Sequence, residues 1–183
     1  MARINLIDPV NATGKAAEQL AAVKSKLGLV PNMTKAMANN PATLGAYLAF
    51  SGELGKGVLP AKVREQISIL IAELNACTYC LSAHSAIGKA LGLSPAELAA
   101  ARGGDSENAK SAAALRFAQE TLHGKGEVSD EAFERVRAAG WSDGEIAEIV
   151  ANVALNVFTN FVNKAFEVEV DFPKVVPQTA GAV

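Results

Sequence analysis

The chain has 183 residues, half of them hydrophobic but only 5% aromatic, with 17 basic against 19 acidic side chains and a net charge of −2. That length suits one domain whose core is built from Ala, Leu, Val and Ile, side chains that favour closely packed helices. The near-neutral balance and the lack of a Lys/Arg block exclude a nucleic-acid or anionic-membrane footprint, leaving a small molecule or a protein as partner.

Helical spacing runs through almost the whole chain. Ala16 to Leu27 reads as a first helix stopped by Gly28, and Pro31 and Pro41 reset the chain before a second region that ends at Leu54. Pro60 opens a central helix, with Val63, Ile67, Leu70, Ile71 and Leu74 as a core-facing stripe. Ser94-Pro95-Ala96-Glu97 joins an N-cap, a proline at the first helical position and a capping-box glutamate, starting a short helix that Gly103-Gly104 ends. Ala109 to Leu122 and Asp130 to Ala138 follow, with Gly124 and Gly140 beyond them, and Ser142-Asp143-Gly144-Glu145 opens a long final helix. Only Val168 to Phe172 alternates as a strand would, and Pro173 cuts it off. The expected fold is all-α, in one domain over 1–183: an N-terminal helical arm (1–58), a core (59–172) and a tail (173–183).

The opening Met1 to Pro9 is poor in apolar residues and interrupted by Asp8, so no secretory signal is expected. Ile149 to Asn163 is the longest late stretch without charge, but it carries four asparagines and falls short of the roughly 20 apolar residues of a membrane span. A cytoplasmic protein is expected, whose paired thiols meet a reducing environment where catalysis, redox sensing or metal binding is commoner than a structural bridge.

The only two cysteines, Cys77 and Cys80, stand three residues apart, and His84 follows four residues later. On one helix this places the His84 imidazole on the face of Cys80, which makes Cys80 the better nucleophile, since the thiolate is the attacking form. Cys77, a turn earlier, can condense with a sulfenic acid at Cys80 and release water as a disulfide closes. If Asn75 caps a new helix, Cys77 falls in its first turn, where free N–H groups favour an anion. Two other readings fit the same residues: buried thiols with no chemistry, and a zinc site from Cys77, Cys80 and His84. A closed zinc site wants a fourth ligand, and the other histidine, His123, belongs to a distant helix.

Thioredoxin places its Cys-x-x-Cys after a strand, whereas the flanks here are helical. The longer pattern Glu65-x11-Cys77-x-x-Cys80-x3-His84 resembles the alkylhydroperoxidase D (AhpD)-like group of the carboxymuconolactone decarboxylase superfamily. The likeness extends through the Leu59-Pro60 helix start to Asn160–Asn163 and Asp171-Phe172-Pro173, and is closest to the single-domain peroxidase-related branch. It implies an AhpD-like multi-helix bundle, a homo-oligomer, and a thiol-dependent hydroperoxide reductase with antioxidant function. Cys80 is then the peroxidatic thiol, Cys77 the resolving thiol, and Glu65 with His84 a proton relay. The reductant would be an external dithiol or protein, with no metal, flavin or nicotinamide in the chain.

Twelve residues at about 100° each turn Glu65 about 120° away from Cys77 on a straight helix, so the helix is expected to break near Asn75-Ala76. Spacing alone nominates Glu73 instead, but a bare carboxylate would raise a thiol pKa, and Glu73 is read as structural. Familiar members carry a histidine just before the second cysteine, where this chain has Tyr79; a phenol titrating near 10 cannot replace it as a neutral-pH proton carrier. Superfamily membership also admits a carboxymuconolactone-type decarboxylase, against which the cysteine pair argues, and a non-enzymatic redox-sensing adaptor.

Three further patterns stand out. Glu148, Asn152, Asn156, Asn160 and Asn163 form a polar stripe on the last helix, expected either in solvent or at a subunit contact or active-site cleft. With an offset of 83 residues, Gly57, Val63, Glu65 and Ile67 fall on Gly140, Ile146, Glu148 and Val150, a weak hint of duplication. Gly52 to Gly57 reads as a helix C-cap and turn and not a phosphate loop, since no Gly-Lys-Ser/Thr follows and no strand precedes it.

Overall fold

A computed structural model describes residues 2–178, so the end of the expected tail, 179–183, lies outside the described residues. Among the described residues nine helices follow one another: α1 (Gly14–Leu27), α2 (Asn32–Met37), α3 (Pro41–Leu54), α4 (Ala61–Leu74), α5 (Thr78–Ala90), α6 (Pro95–Arg102), α7 (Ala109–His123), α8 (Asp130–Ala138) and α9 (Asp143–Ala165). No strand is present among the described residues, in keeping with the all-α expectation. Val168 to Asp171 has no ladder partner; instead Asp171 accepts from the Asn32 backbone N–H, and the Glu169 carbonyl accepts from the Asn32 side chain. Alternation pointed to a strand here, but a strand needs a partner to pair with, and none is present among the described residues.

The caps act as their residue types require. Ser94 and Ser142 close full capping boxes with Glu97 and Glu145, and those hydrogen bonds hold both carboxyls below their ordinary range. Gly28 ends α1 in the left-handed region, at φ 76°, where a side chain would be strained. Gly57 is needed for closeness, because an added Cβ would collide with the Glu148 carboxylate. That carboxylate accepts from the backbone N–H groups of Val58 and Leu59, at 2.7 and 3.0 Å, at the entrance to α4.

Helix α4 is the centre of the molecule and packs against α5, α6, α7 and α9. Ile67, Ile69, Leu70 and Ile71 are fully buried on it, each stabilising the fold by about 1.5–3 kcal/mol. Because neighbours cover it on several sides, α4 buries more than the one stripe that periodicity marks. Helix α9 reaches 23 residues and is long and apolar enough to cross a membrane, more than the charge-free stretch alone suggests. It packs against α3, α4, α5 and α7, with Ile146, Ile149 and Val153 buried. Leu20, Met33, Met37 and Leu44 from α1, α2 and α3 share one apolar cluster with Cys77, Tyr79, Cys80 and Leu81.

Candidate active site

The expected helix break falls between α4 and α5, in a turn of three residues. Asn75 is the C-cap of α4, Ala76 takes a positive φ of 50°, and Cys77 is extended at φ −96°, ψ 94°. Asn75 therefore ends one helix and does not cap the next. The N-cap of α5 is Cys77 itself, whose Sγ accepts from the Cys80 backbone N–H at 3.3 Å. A sulfur fills the place usually taken by a serine or asparagine oxygen because Ala76 turns the chain sharply. Cys80 stands in the first turn, so both sulfurs lie at the positive end of α5, where an anion is favoured.

Cys77 and Cys80 are joined as a disulfide, with their Cα atoms 5.4 Å apart. Both are almost wholly buried. They differ in what they face: Cys80 lines a cavity of about 290 Å³ and Cys77 does not. The same cavity is lined by Glu65 and His84, which meet across the α4–α5 hairpin with His84 Nδ1 2.8 Å from Glu65 Oε2. Both side chains are partly exposed, at 16% and 23%. With Glu65 accepting from Nδ1–H, Nε2 is the nitrogen left to take or give a proton.

Glu73, the alternative by spacing, is turned away from this cavity. It is buried, pairs with Arg102 at 2.7 Å and accepts from the Gln178 backbone N–H, a structural set of contacts. Tyr79 is also held: its hydroxyl accepts from the Met33 backbone N–H at 3.2 Å, and its ring stands edge-on to Phe172.

The asparagines are buried within one chain, which removes the solvent-exposed reading of the stripe. Asn152, Asn156 and Asn163 line the cavity. Asn156 Nδ2 donates to Ser68 Oγ at 3.0 Å, and Asn163 Nδ2 lies 3.3 Å from Cys80 Sγ and 3.1 Å from Met33 Sδ. Asn160 accepts from Asn75 Nδ2 at 3.0 Å, while Lys164 Nζ donates to the Asn75 carbonyl at 2.7 Å. Helix α9 thus fixes the turn that carries the cysteines.

Sequence reasoning missed Tyr47, which lines the cavity from α3. Burial first, then the negative charge of Glu65, pushes its phenol up, while a hydrogen bond with Ser51 works against them. Nothing local marks Tyr47, because only tertiary packing brings α3 to the cavity. Burial likewise raises the Tyr79 phenol far above its usual value, with Asp171 adding to it and the Met33 N–H opposing it. These are the only two tyrosines. A phenol raised by folding gives stability that is complete below about pH 10 and is lost as pH rises beyond it. An absorbance titration at 295 nm is therefore expected to show less than half of the tyrosine ionised at pH 10 in the folded protein, with ionisation rising as helical circular dichroism is lost. Half-ionised tyrosine at pH 10 in folded protein would refute this burial.

The Carboxymuconolactone decarboxylase family model matches residues 41–121, from the start of α3 to within α7. The match takes in Glu65, Cys77, Cys80 and His84 together. Over these residues the chain is similar to that family, and its fold is AhpD-like. Among solved structures, the chain is similar to an uncharacterized peroxidase-related protein from Ralstonia eutropha JMP134, described as an alkylhydroperoxidase AhpD core. The TM-score is 0.83 at 24% identity, covering 93% of this chain and 92% of that one. A peroxidase-related protein from Silicibacter sp. TM1040 superposes with a TM-score of 0.80 at 27% identity, covering 92% and 91%. The debrominase Bmp8, as a cysteine-to-alanine variant in complex with 2,3,4-tribromopyrrole, gives a TM-score of 0.77 at 21% identity, covering 93% and 94%. No curated protein matches the chain in sequence.

Proposed function

We propose that this AhpD-like chain is a thiol-dependent hydroperoxide reductase, with Cys80 as attacking thiol, Cys77 as resolving thiol and the Glu65–His84 pair as proton relay. The observation that carries this reading is the cavity: Cys80, but not Cys77, shares it with the hydrogen-bonded Glu65 and His84. Peroxidase-related neighbours in structure support the same reading.

In the reduced enzyme His84 Nε2 takes the Cys80 proton, and Glu65 on Nδ1 favours the resulting imidazolium. The thiolate attacks the terminal oxygen of R–O–OH, forming the S–O bond as the O–O bond breaks. His84 returns its proton to the departing alkoxide, giving ROH and a sulfenic acid at Cys80. Cys77 then attacks the sulfenic sulfur; the S–S bond forms, and the hydroxyl leaves with the Cys77 proton as water. Two electrons have passed from the thiols to the peroxide. An external dithiol restores the pair by exchange.

Apolar side chains, among them Leu54, Ala83, Leu155 and Phe172, dominate the rest of the cavity wall, which suits an organic hydroperoxide better than hydrogen peroxide. The likeness to Bmp8 and the aromatic rings of Tyr47, Tyr79 and Phe172 support a second reading, reductive debromination of an aromatic substrate. It draws the same two electrons from the dithiol, replacing C–Br with C–H and releasing bromide. Incubation with dithiothreitol and either cumene hydroperoxide or a bromopyrrole separates the two. Hydroperoxide loss without bromide release supports the first; bromide release without hydroperoxide loss overturns it.

A further inference from the structure

We propose that Asn163 is a further catalytic residue of this centre: its side-chain amide donates to Cys80 Sγ and holds the reduced sulfur as its thiolate. The inference rests on reading Cys80 as the attacking thiol.

Asn163 is 3% exposed, and the two hydrogens of its Nδ2 serve two sulfurs, Cys80 at 3.3 Å and Met33 at 3.1 Å. Neutral sulfur is a weak acceptor, so neither contact repays the burial of an amide. The cost is plain at the other end of the group, where Asn163 Oδ1 is buried with no hydrogen-bond partner among the described residues. The Cys80 contact gains strength only when Sγ carries negative charge, because a hydrogen bond to an ion is roughly twice as strong as one between neutral groups. An amide badly placed for the disulfide is thus well placed for the thiolate. Burial also keeps water from competing for the sulfur.

The surroundings leave this role open. Titratable and charged groups around the cavity are Tyr47 on α3, Arg64 and Glu65 on α4, and Tyr79 and His84 on α5. Glu65 and His84 pair with each other, Arg64 donates to the Leu59 carbonyl, and the Tyr79 hydroxyl is engaged by Met33. Helix α9 presents only uncharged side chains to the cavity, and of these Asn163 alone has a donor on Cys80 Sγ. The relay removes the proton; Asn163 stabilises what is left behind.

The test reads the thiol and needs no peroxide. In a Cys77→Ser background Cys80 is the single thiol, and its alkylation by iodoacetamide is followed against pH. Asn163→Leu removes the donor at similar volume and is expected to raise the midpoint by about one unit, slowing alkylation at neutral pH roughly tenfold. Asn163→Asp, nearly identical in shape, places a carboxylate beside the sulfur and is expected to raise it at least as far; it decides the matter if the leucine variant loses helical signal. Midpoints within about 0.2 units of the parent in folded variants would overturn the proposal. A shifted midpoint in a protein that consumes no hydroperoxide would count against the peroxidase reading and leave this inference standing.

Discussion

Replacing Cys80 by serine is expected to lower dithiol-dependent hydroperoxide consumption by about a thousandfold or more, because a hydroxyl at ordinary pKa cannot act as the nucleophile. The Cys77→Ser variant is expected to behave differently. Cys77 lies outside the cavity, so the first reaction at Cys80 should keep its rate within about threefold, while the sulfenic acid, with no neighbour to condense with, accumulates and can be trapped by dimedone. Steady turnover then falls for want of resolution. Single-turnover stopped flow with dimedone labelling checks both halves. If Cys77→Ser lost the first reaction and Cys80→Ser kept it, the two roles would be reversed.

The second large effect concerns the relay. His84→Ala is expected to slow the first reaction by about a hundredfold or more, within the range general acid–base groups supply. Glu65→Gln should cost less, roughly tenfold to a hundredfold, because a neutral amide still reaches Nδ1 but no longer favours the imidazolium. Both side chains are partly exposed, and neither carries a core contact like those of Ile67 or Leu70, so stability should change little. The double variant should be no slower than His84→Ala alone, since Glu65 acts through the ring. Additive losses would show Glu65 and His84 working separately.

Much of the fold could be read from local chemistry. Ser94 and Ser142 announced their helices through capping boxes, and the geometric mismatch between Glu65 and Cys77 called for the break that Asn75 and Ala76 make. What local chemistry could not choose was the capping residue after the break. Asn75 has the better side chain for the task, but the positive φ of Ala76 advances the helix start by two residues and gives the cap to Cys77. Val168 to Asp171 shows the same limit: a strand needs a partner, and Asn32 occupies polar groups of this segment instead.

Legibility of the candidate site divides along the same line. Cys77, Cys80 and His84 lie within eight residues, so spacing reaches those three, whereas Glu65, on the other helix of the hairpin, came only from the family resemblance, since spacing alone pointed to Glu73. Tyr47 and Asn163 come from α3 and α9, and their meeting with Cys80 depends on packing that no short motif encodes. The asparagine stripe was visible as a pattern, since a polar face built from amides is unusual beside so many apolar residues. Its direction was not, because the rotation of α9 is set by the apolar side chains it packs against α4 and α7. Glu73 shows the converse: placed suggestively by spacing, it is taken up by Arg102.

If these two thiols reduce a hydroperoxide through an intramolecular disulfide, one turnover leaves its mark on both cysteines. Fully reduced protein is mixed with one equivalent of cumene hydroperoxide, quenched with an alkylating agent and weighed by mass spectrometry. The predicted result is a chain that takes up no alkyl group and yields a linked Cys77–Cys80 peptide, with one hydroperoxide converted to its alcohol per chain. Two alkylated cysteines beside unconsumed hydroperoxide would contradict it.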